Sequence, residues 1–158
     1  MKEKKVLLMG NPNVGKSTVF NELTGMQQHT GNWTGKTVDS ADGNFYYKYN
    51  NYRLIDLPGT YSLIPSSEEE RVAGEYLLKE KYDCVVIVID STLLQRNLML
   101  FYQILEITNK VVVMLNLCDE AKKRNIEIDK NILSNLLGVP VIKATARSGK
   151  GINELLEE

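Results

Sequence analysis

The sequence predicts an α/β fold, a mostly parallel sheet of six to seven strands with one antiparallel strand from a hairpin and helices on both faces. Three observations predict it. Apolar runs at Val6–Met9, Val85–Ile89, Val111–Leu115 and Val139–Ile142 are too continuous for strands with a solvent face, so each belongs in a sheet covered on both sides. Helical patterns fall between the later runs, and strands alternating with helices imply right-handed crossovers in a doubly wound sheet. Residues Gly10 to Ser17 read Gly-Asn-Pro-Asn-Val-Gly-Lys-Ser between the first apolar run and a helix-like stretch from Thr18 to Leu23. That string, with a strand before it and a helix after it, is a phosphate-binding loop.

Each element follows from local chemistry. The first helix begins near Lys16. The segment from Gly25 to Lys36, rich in Gly, Gln, Asn and Thr, has no periodicity and is read as a loop. Two alternating segments, around Phe45–Tyr49 and Tyr52–Ile55, flank Asn50-Asn51 and predict a tight antiparallel hairpin. Ser67 caps a helix whose acidic first turn is Glu68, Glu69 and Glu70 and which runs through Val72, Tyr76 and Leu77 to about Lys79. A third helix spans Leu94 to Glu106. Asp129 caps a fourth, which runs through Ile132, Leu133 and Leu136 and stops at Gly138. The chain closes on Leu155-Leu156-Glu157-Glu158, inside an amphipathic helix with no capping glycine, which predicts a fragment of a longer protein.

Composition narrows the class. A chain of 158 residues suits one domain that buries its own core without disulfides or metal staples. Hydrophobic content of 43% and charged content of 25% exclude the disordered and fibrous classes. A net charge of −1 leaves no basic surplus for nucleic acid, and the cluster Lys2–Lys5 is short and interrupted by Glu3. Cys84 and Cys118 lie far apart without a metal-ligand pattern, which suits free thiols in a reducing compartment. No apolar run is long enough to span a bilayer, and Met1–Met9 lacks the features of a signal peptide, so the chain as given is expected to be soluble.

The chemistry sits in the loops that follow the strands. In the phosphate loop, Gly10, Asn11, Pro12, Asn13, Val14 and Gly15 let backbone N–H groups wrap a polyphosphate, and the helix holding Thr18 aims its positive end at the same anion. Lys16 is expected to reach the β- and γ-phosphates and the Ser17 hydroxyl to ligate Mg²⁺. About forty residues on, Asp56-Leu57-Pro58-Gly59 is an ordinary turn taken alone. At this spacing from a phosphate loop, Asp56 is placed to hold Mg²⁺ through water and the Gly59 N–H to meet the γ-phosphate. Asn116-Leu117-Cys118-Asp119 ends the strand Val111–Leu115. The Asp119 carboxylate can accept from guanine N1–H and its exocyclic amine, whereas adenine offers an acceptor at N1 and no amine beside it. Asn116 would brace the loop and approach N7, and Leu117 stands where a lysine usually covers the base. Thr145-Ala146-Arg147 follows the last apolar run and resembles a loop whose backbone N–H contacts guanine O6. In this order the elements predict a site for GTP or GDP with Mg²⁺, not for ATP.

Four segments are more specific still: Gly31-Asn32-Trp33-Thr34-Gly35-Lys36-Thr37-Val38, Asp56-Leu57-Pro58-Gly59-Thr60-Tyr61-Ser62-Leu63, Arg96-Asn97-Leu98 and Asn116-Leu117-Cys118-Asp119-Glu120-Ala121. With them the chain resembles, over nearly every residue, the cytosolic GTPase domain of the bacterial ferrous-iron transporter family FeoB. It departs from the family pattern at Thr34 (usually proline), Cys118 (methionine or similar), Asn125 (glycine) and Thr145 (serine), changes that bear on loop stiffness and nucleotide affinity and remove no ligand. The resemblance implies a P-loop GTPase fold with residues 1–158 as the GTP-binding domain of a longer membrane protein. It also assigns Thr37 as the first-switch threonine that closes on Mg²⁺ and the γ-phosphate, with Gly35 in the loop over the nucleotide.

By the same resemblance Asn13 helps bind K⁺ beside the phosphates, its other reading being a loop-shaping hydrogen bond. Trp33 is either a clasp on the domain or a partner surface, and His29 is a surface residue. Thr60 stands where many GTPases carry a glutamine, so the attacking water is expected to be positioned by backbone groups, and turnover to be slow. The implied partners are a following helical domain and a transmembrane domain of the same polypeptide, at the cytoplasmic face of the bacterial inner membrane, with Fe²⁺ uptake as the output. The switches, Gly25–Thr37 and Leu57–Ser67, are also open to a homo-oligomer contact. Two other readings stay open: a soluble ribosome- or RNA-associated GTPase, which should bring a basic module, and a GTP/GDP-sensing module with negligible hydrolysis.

Overall fold

In the computed structural model, which describes residues 2–158, seven strands form one sheet: β1 (Lys4–Gly10), β2 (Gln28–Asn32), β3 (Asp39–Tyr47), β4 (Asn50–Asp56), β5 (Cys84–Asp90), β6 (Val111–Asn116) and β7 (Val141–Lys143). Their order is β2-β3-β4-β1-β5-β6-β7. β1 runs parallel to β4 and β5, and β6 runs parallel to β5 and β7. β3 alone runs against the rest, antiparallel to both β2 and β4. Met1 lies outside the described residues, and among those described no helix is long and apolar enough to cross a membrane.

The two-residue period of a strand explains the unbroken apolar runs. Leu7 and Met9 of β1 face one core layer, with Ala73 and Leu77 of α2 (Glu68–Lys79), Leu100, Phe101 and Ile104 of α3 (Leu94–Leu105) and Leu133 and Leu137 of α5 (Lys130–Leu137). Val6 and Leu8 face the other layer, with Val19 and Phe20 of α1 (Lys16–Thr24) and Ile152 and Leu155 of α6 (Ile152–Glu157). Every residue of the run is therefore buried.

Helix ends follow the expected chemistry. The Ser67 hydroxyl accepts from the Glu70 N–H at 3.2 Å while the Glu70 carboxylate accepts from the Ser67 N–H at 3.2 Å, closing a capping box on α2. Asp129 accepts from the N–H groups of Asn131 and Ile132 at 2.9 and 3.0 Å, and Gly138 ends α5 at φ 72°. A short 3₁₀ turn, Ser91–Leu93, precedes α3. Burial pushes the Cys84 thiol up to about 11, which keeps it protonated and unreactive.

Two expectations are corrected. The hairpin turn is Lys48-Tyr49, with φ 44° and 67°, and not Asn50-Asn51. Pairing Gly43 with Leu54 and Phe45 with Tyr52 sets this register, and the Phe45 and Tyr52 rings stack 4.9 Å apart. Gly43 passes so close under α1 that a Cβ there would lie 2.6 Å from the Gln27 carbonyl oxygen and 2.9 Å from Thr24 Cγ2. Asn50 instead turns its side-chain amide back to the Lys48 carbonyl at 3.2 Å.

Gln28–Asn32 is a strand and not part of a loop. It pairs with β3 at the sheet edge, where neither face needs apolar residues, so its backbone bonds leave no periodic pattern in the sequence. Beyond the far end of the hairpin, the Tyr47 hydroxyl and the Lys48 ammonium both bond the Glu157 carboxylate of α6. Lys48 first, then Tyr47, hold that carboxyl below its ordinary pKa.

The Gly43 contact is testable. Gly43→Ala should destabilise the chain by about 1–3 kcal/mol in urea unfolding, because backbone at 2.6 Å must move to admit the methyl; an unchanged midpoint would mean that α1 does not constrain the hairpin.

Candidate functional site

The carboxyl ends of β1, β4 and β6, with the loop after β7, converge on the turn between β1 and α1. At Gly10 a Cβ would lie 2.6 Å from the Val88 carbonyl oxygen, so β5 crowds the start of this turn. Gly15 holds φ 86° with the Asn116 amide against the space a side chain would need. Val14 is buried between them, and Asn13, exposed at the crest, also takes a left-handed conformation at φ 65°. Asn11, Pro12, Asn13, Gly15, Lys16, Ser17 and Gly59 line a cavity of about 410 Å³. Among the described residues no side chain caps α1, so the N–H groups of its first turn, in Lys16, Ser17 and Thr18, are left uncapped beside this cavity.

The turn after β4 is bonded to the same loop. Thr60 N–H donates to the Gly10 carbonyl at 3.1 Å, and Gly59 sits over Pro12, where a Cβ would be 3.3 Å from Pro12 Cα. The Lys16 ammonium forms an ion pair with Asp56 and donates to the Leu57 carbonyl at 2.7 Å. Burial pushes the Asp56 carboxyl pKa up, and the Lys16 charge and hydrogen bond oppose that shift without cancelling it.

On the other side of the loop, Asn116 is 2% exposed and uses both ends of its amide. Its Nδ2 donates to the Val14 carbonyl at 3.0 Å, and its Oδ1 accepts from the Ala146 N–H at 2.9 Å. The Asn116 carbonyl accepts from the Ser91 hydroxyl at 2.6 Å. Leu117 takes φ 60° to start α4 (Cys118–Lys123), which puts Asp119 in the first turn of that helix. One Asp119 oxygen pairs with the Arg147 guanidinium; the other, Oδ1, is buried and has no hydrogen-bond partner among the described residues. Thr145 and Ala146, which precede Arg147, are buried.

The structure thus brings together the residues from Gly10 to Thr18 with Asp56, Gly59, Thr60, Asn116, Asp119, Thr145, Ala146 and Arg147. Gly35 and Thr37 are not among the residues that line the loop cavity. Gly35, at φ 71°, projects into open space, and the Thr37 hydroxyl donates to Glu68 Oε2 at 2.9 Å. The Thr60 hydroxyl is buried with no partner among the described residues. Trp33 takes the clasp position: it packs on the core with its ring edge-on to Tyr76, centroids 5.4 Å apart. His29 is exposed on β2. Sequence reasoning missed the contacts of Glu68, Ser91 and Arg147, because partners separated by 31, 25 and 28 residues leave no motif.

Comparison with known proteins agrees with this architecture. The family model described as ferrous iron transport protein B matches residues 4–158. The Fe(2+) transporter FeoB of Campylobacter jejuni is 41% identical over 158 residues, covering 100% of this chain and 26% of its own length. That of Escherichia coli is 43% identical over 159 residues, covering 98% and 21%. The chain therefore spans about a quarter of the length of such curated relatives. The crystal structure of the G domain of T. maritima FeoB superposes with a TM-score of 0.93 at 46% identity, covering 99% of this chain and 96% of that one. The FeoB G-domain from Methanococcus jannaschii gives 0.88 at 42% identity, covering 99% and 95%. With the sheet order, the phosphate loop and this match along its length, the chain belongs to the ferrous iron transport protein B family and has the P-loop GTPase fold of its G domain.

Proposed function

We propose that the chain is a GTP-binding domain that takes GTP and GDP with Mg²⁺ and hydrolyses GTP slowly, with stimulation by K⁺. In the longer protein of which its relatives are examples, this cycle regulates or drives Fe²⁺ uptake through a transmembrane domain that follows, by way of a helical domain, at the cytoplasmic face of the bacterial inner membrane. The observation that carries the reading is Asp119 Oδ1, a carboxylate oxygen that is buried and, among the described residues, unpartnered beside a phosphate loop. An unpaired buried acceptor is costly, and a guanine edge offers the N–H donors that it lacks. The cytosolic domain of T. maritima FeoB, 45–46% identical to this chain, has been crystallised in GDP and GMPPNP forms, which supports the same ligand class here.

The roles follow from chemistry. Backbone N–H groups from Asn13 to Thr18 hold the phosphates, and Lys16 leaves Asp56 to meet them. Asp119 reads the guanine edge while Asn116 and the backbone of Thr145, Ala146 and Arg147 hold the base pocket. Gly59 offers its N–H at the γ-phosphate. Thr60 Cα carries a side chain too short to act as glutamine does, so the water is oriented by the main chain around Gly59 and Thr60.

The donor set also fits the ions. Ser17 lines the loop cavity and Asp56 sits at the Lys16 ammonium, which gives hard oxygen donors suited to Mg²⁺ with Thr37 as a third; the Asn13 amide oxygen at the loop crest suits K⁺. When bound, the two ions neutralise charge on the phosphates.

Calorimetric titration should rank GTP above inosine triphosphate by roughly 10- to 100-fold, because inosine lacks the exocyclic amine and forfeits one hydrogen bond to a charged group. ATP should bind more weakly still, and equal affinities for the three would overturn the assignment of Asp119. Single-turnover hydrolysis should be faster in KCl than in NaCl at equal ionic strength, and Asn13→Ala should remove the difference; equal wild-type rates in the two salts would reduce Asn13 to loop shaping. In the nucleotide-free chain Asn116→Ala should cost about 2–4 kcal/mol in urea unfolding, because it strands the Val14 carbonyl and the Ala146 N–H together.

A further inference from the structure

We propose that Glu68 is a positioning residue of the first switch, whose carboxylate holds Thr37 away from the nucleotide cavity and so biases the site toward GDP over GTP. This rests on the reading of Thr37 given above. The contact is direct: the Thr37 hydroxyl donates its hydrogen to Glu68 Oε2 at 2.9 Å, across 31 residues of sequence. Neither Thr37 nor Glu68 is among the residues that line the loop cavity, so a threonine held on this carboxylate stands outside it, and drawing it in over the phosphates breaks the bond.

Both ends of the contact are held. Glu68 is the first residue of α2, and the capping work at that terminus is done by Ser67 and Glu70, so the Glu68 carboxylate is not needed there. Among the described residues it forms no ion pair, and the Thr37 hydroxyl is its one hydrogen-bond donor. On the switch side, Val38 is 5% exposed and its carbonyl accepts from the Trp33 N–H at 2.9 Å. The Lys36 N–H closes the turn onto the Trp33 carbonyl at 2.8 Å. Trp33 in turn lies edge-on to Tyr76 of the same helix. The segment from Trp33 to Val38 is therefore tied to α2 at two points, about 12 Å apart along the helix axis.

The bias is specific to one nucleotide state. GDP has no γ-phosphate and makes no demand on Thr37, so the Glu68 contact survives GDP binding. GTP must draw Thr37 away and leave the carboxylate with water alone, so the cost of release falls on GTP.

The experiment measures the affinities of the 158-residue chain for GDP and for GMPPNP, each with Mg²⁺, in wild type, Glu68→Ala, Thr37→Ala and the double variant. Glu68→Ala should tighten GMPPNP about fivefold (~1 kcal/mol) while leaving GDP within about twofold, and the GDP affinity serves as the check that the variant is folded. In the Thr37→Ala background the same substitution should leave GMPPNP within about twofold. An unchanged or weakened GMPPNP affinity overturns the proposal, as does an equal change for both nucleotides or a gain that persists without Thr37. A wild-type chain that binds neither nucleotide overturns the nucleotide reading itself, and that outcome is distinct from all of these.

Discussion

One carboxamide organises the site. Asn116 sits at the end of a strand buried on both faces, and its amide spans two loops that arrive from opposite ends of the sequence, at Val14 and Ala146. Both bonds are buried, so neither loop can move off without leaving a polar group unpaired in the interior. The Ser91 hydroxyl fixes the backbone of the same asparagine from a third direction. The phosphate loop and the loop after β7 are thereby kept in one relation to each other, and at Gly15 this amide takes the room of a side chain.

Around that fixed frame the polar and charged groups satisfy one another. Lys16 is paired with Asp56, Asp119 with Arg147, and Thr37 with Glu68. A ligand that engages these groups exchanges partners and does not fill bare positions. Such exchange keeps the net gain from each contact modest, since a protein bond is lost for each ligand bond made. Among the described residues, Asp119 Oδ1 is the clearest group in this frame with no internal partner.

Much of this was legible in the sequence, for physical reasons that differ by element. The strands β1, β5 and β6 announce themselves because burial on both faces leaves an unbroken apolar run. Ser67, Asp129 and Gly138 mark helix ends because capping is a contact between near neighbours. The phosphate loop, the turn at Asp56 and the loop at Asn116 are likewise contiguous strings. What escaped is non-local or polar. β2 gives no pattern because an edge strand with two wet faces selects for neither, and the hairpin turn shifted because the approach of Gly43 to α1 outweighed the turn preference of two asparagines. No spacing rule could have joined Thr37 to Glu68 or Arg147 to Asp119, since those bonds depend on where rotamers point once the sheet has formed.

The reversed strand has a mechanical consequence. β3 starts next to Val38 and ends at Tyr47 after about 27 Å of extended chain. There the Tyr47 hydroxyl and the Lys48 ammonium grip Glu157 in the last turn of α6. Hydrogen-bonded along its length to β4, this strand leaves little backbone freedom between Val38 and the Glu157 contact, so the segment before it and the last helix are joined by one continuous extended element with no loop in between.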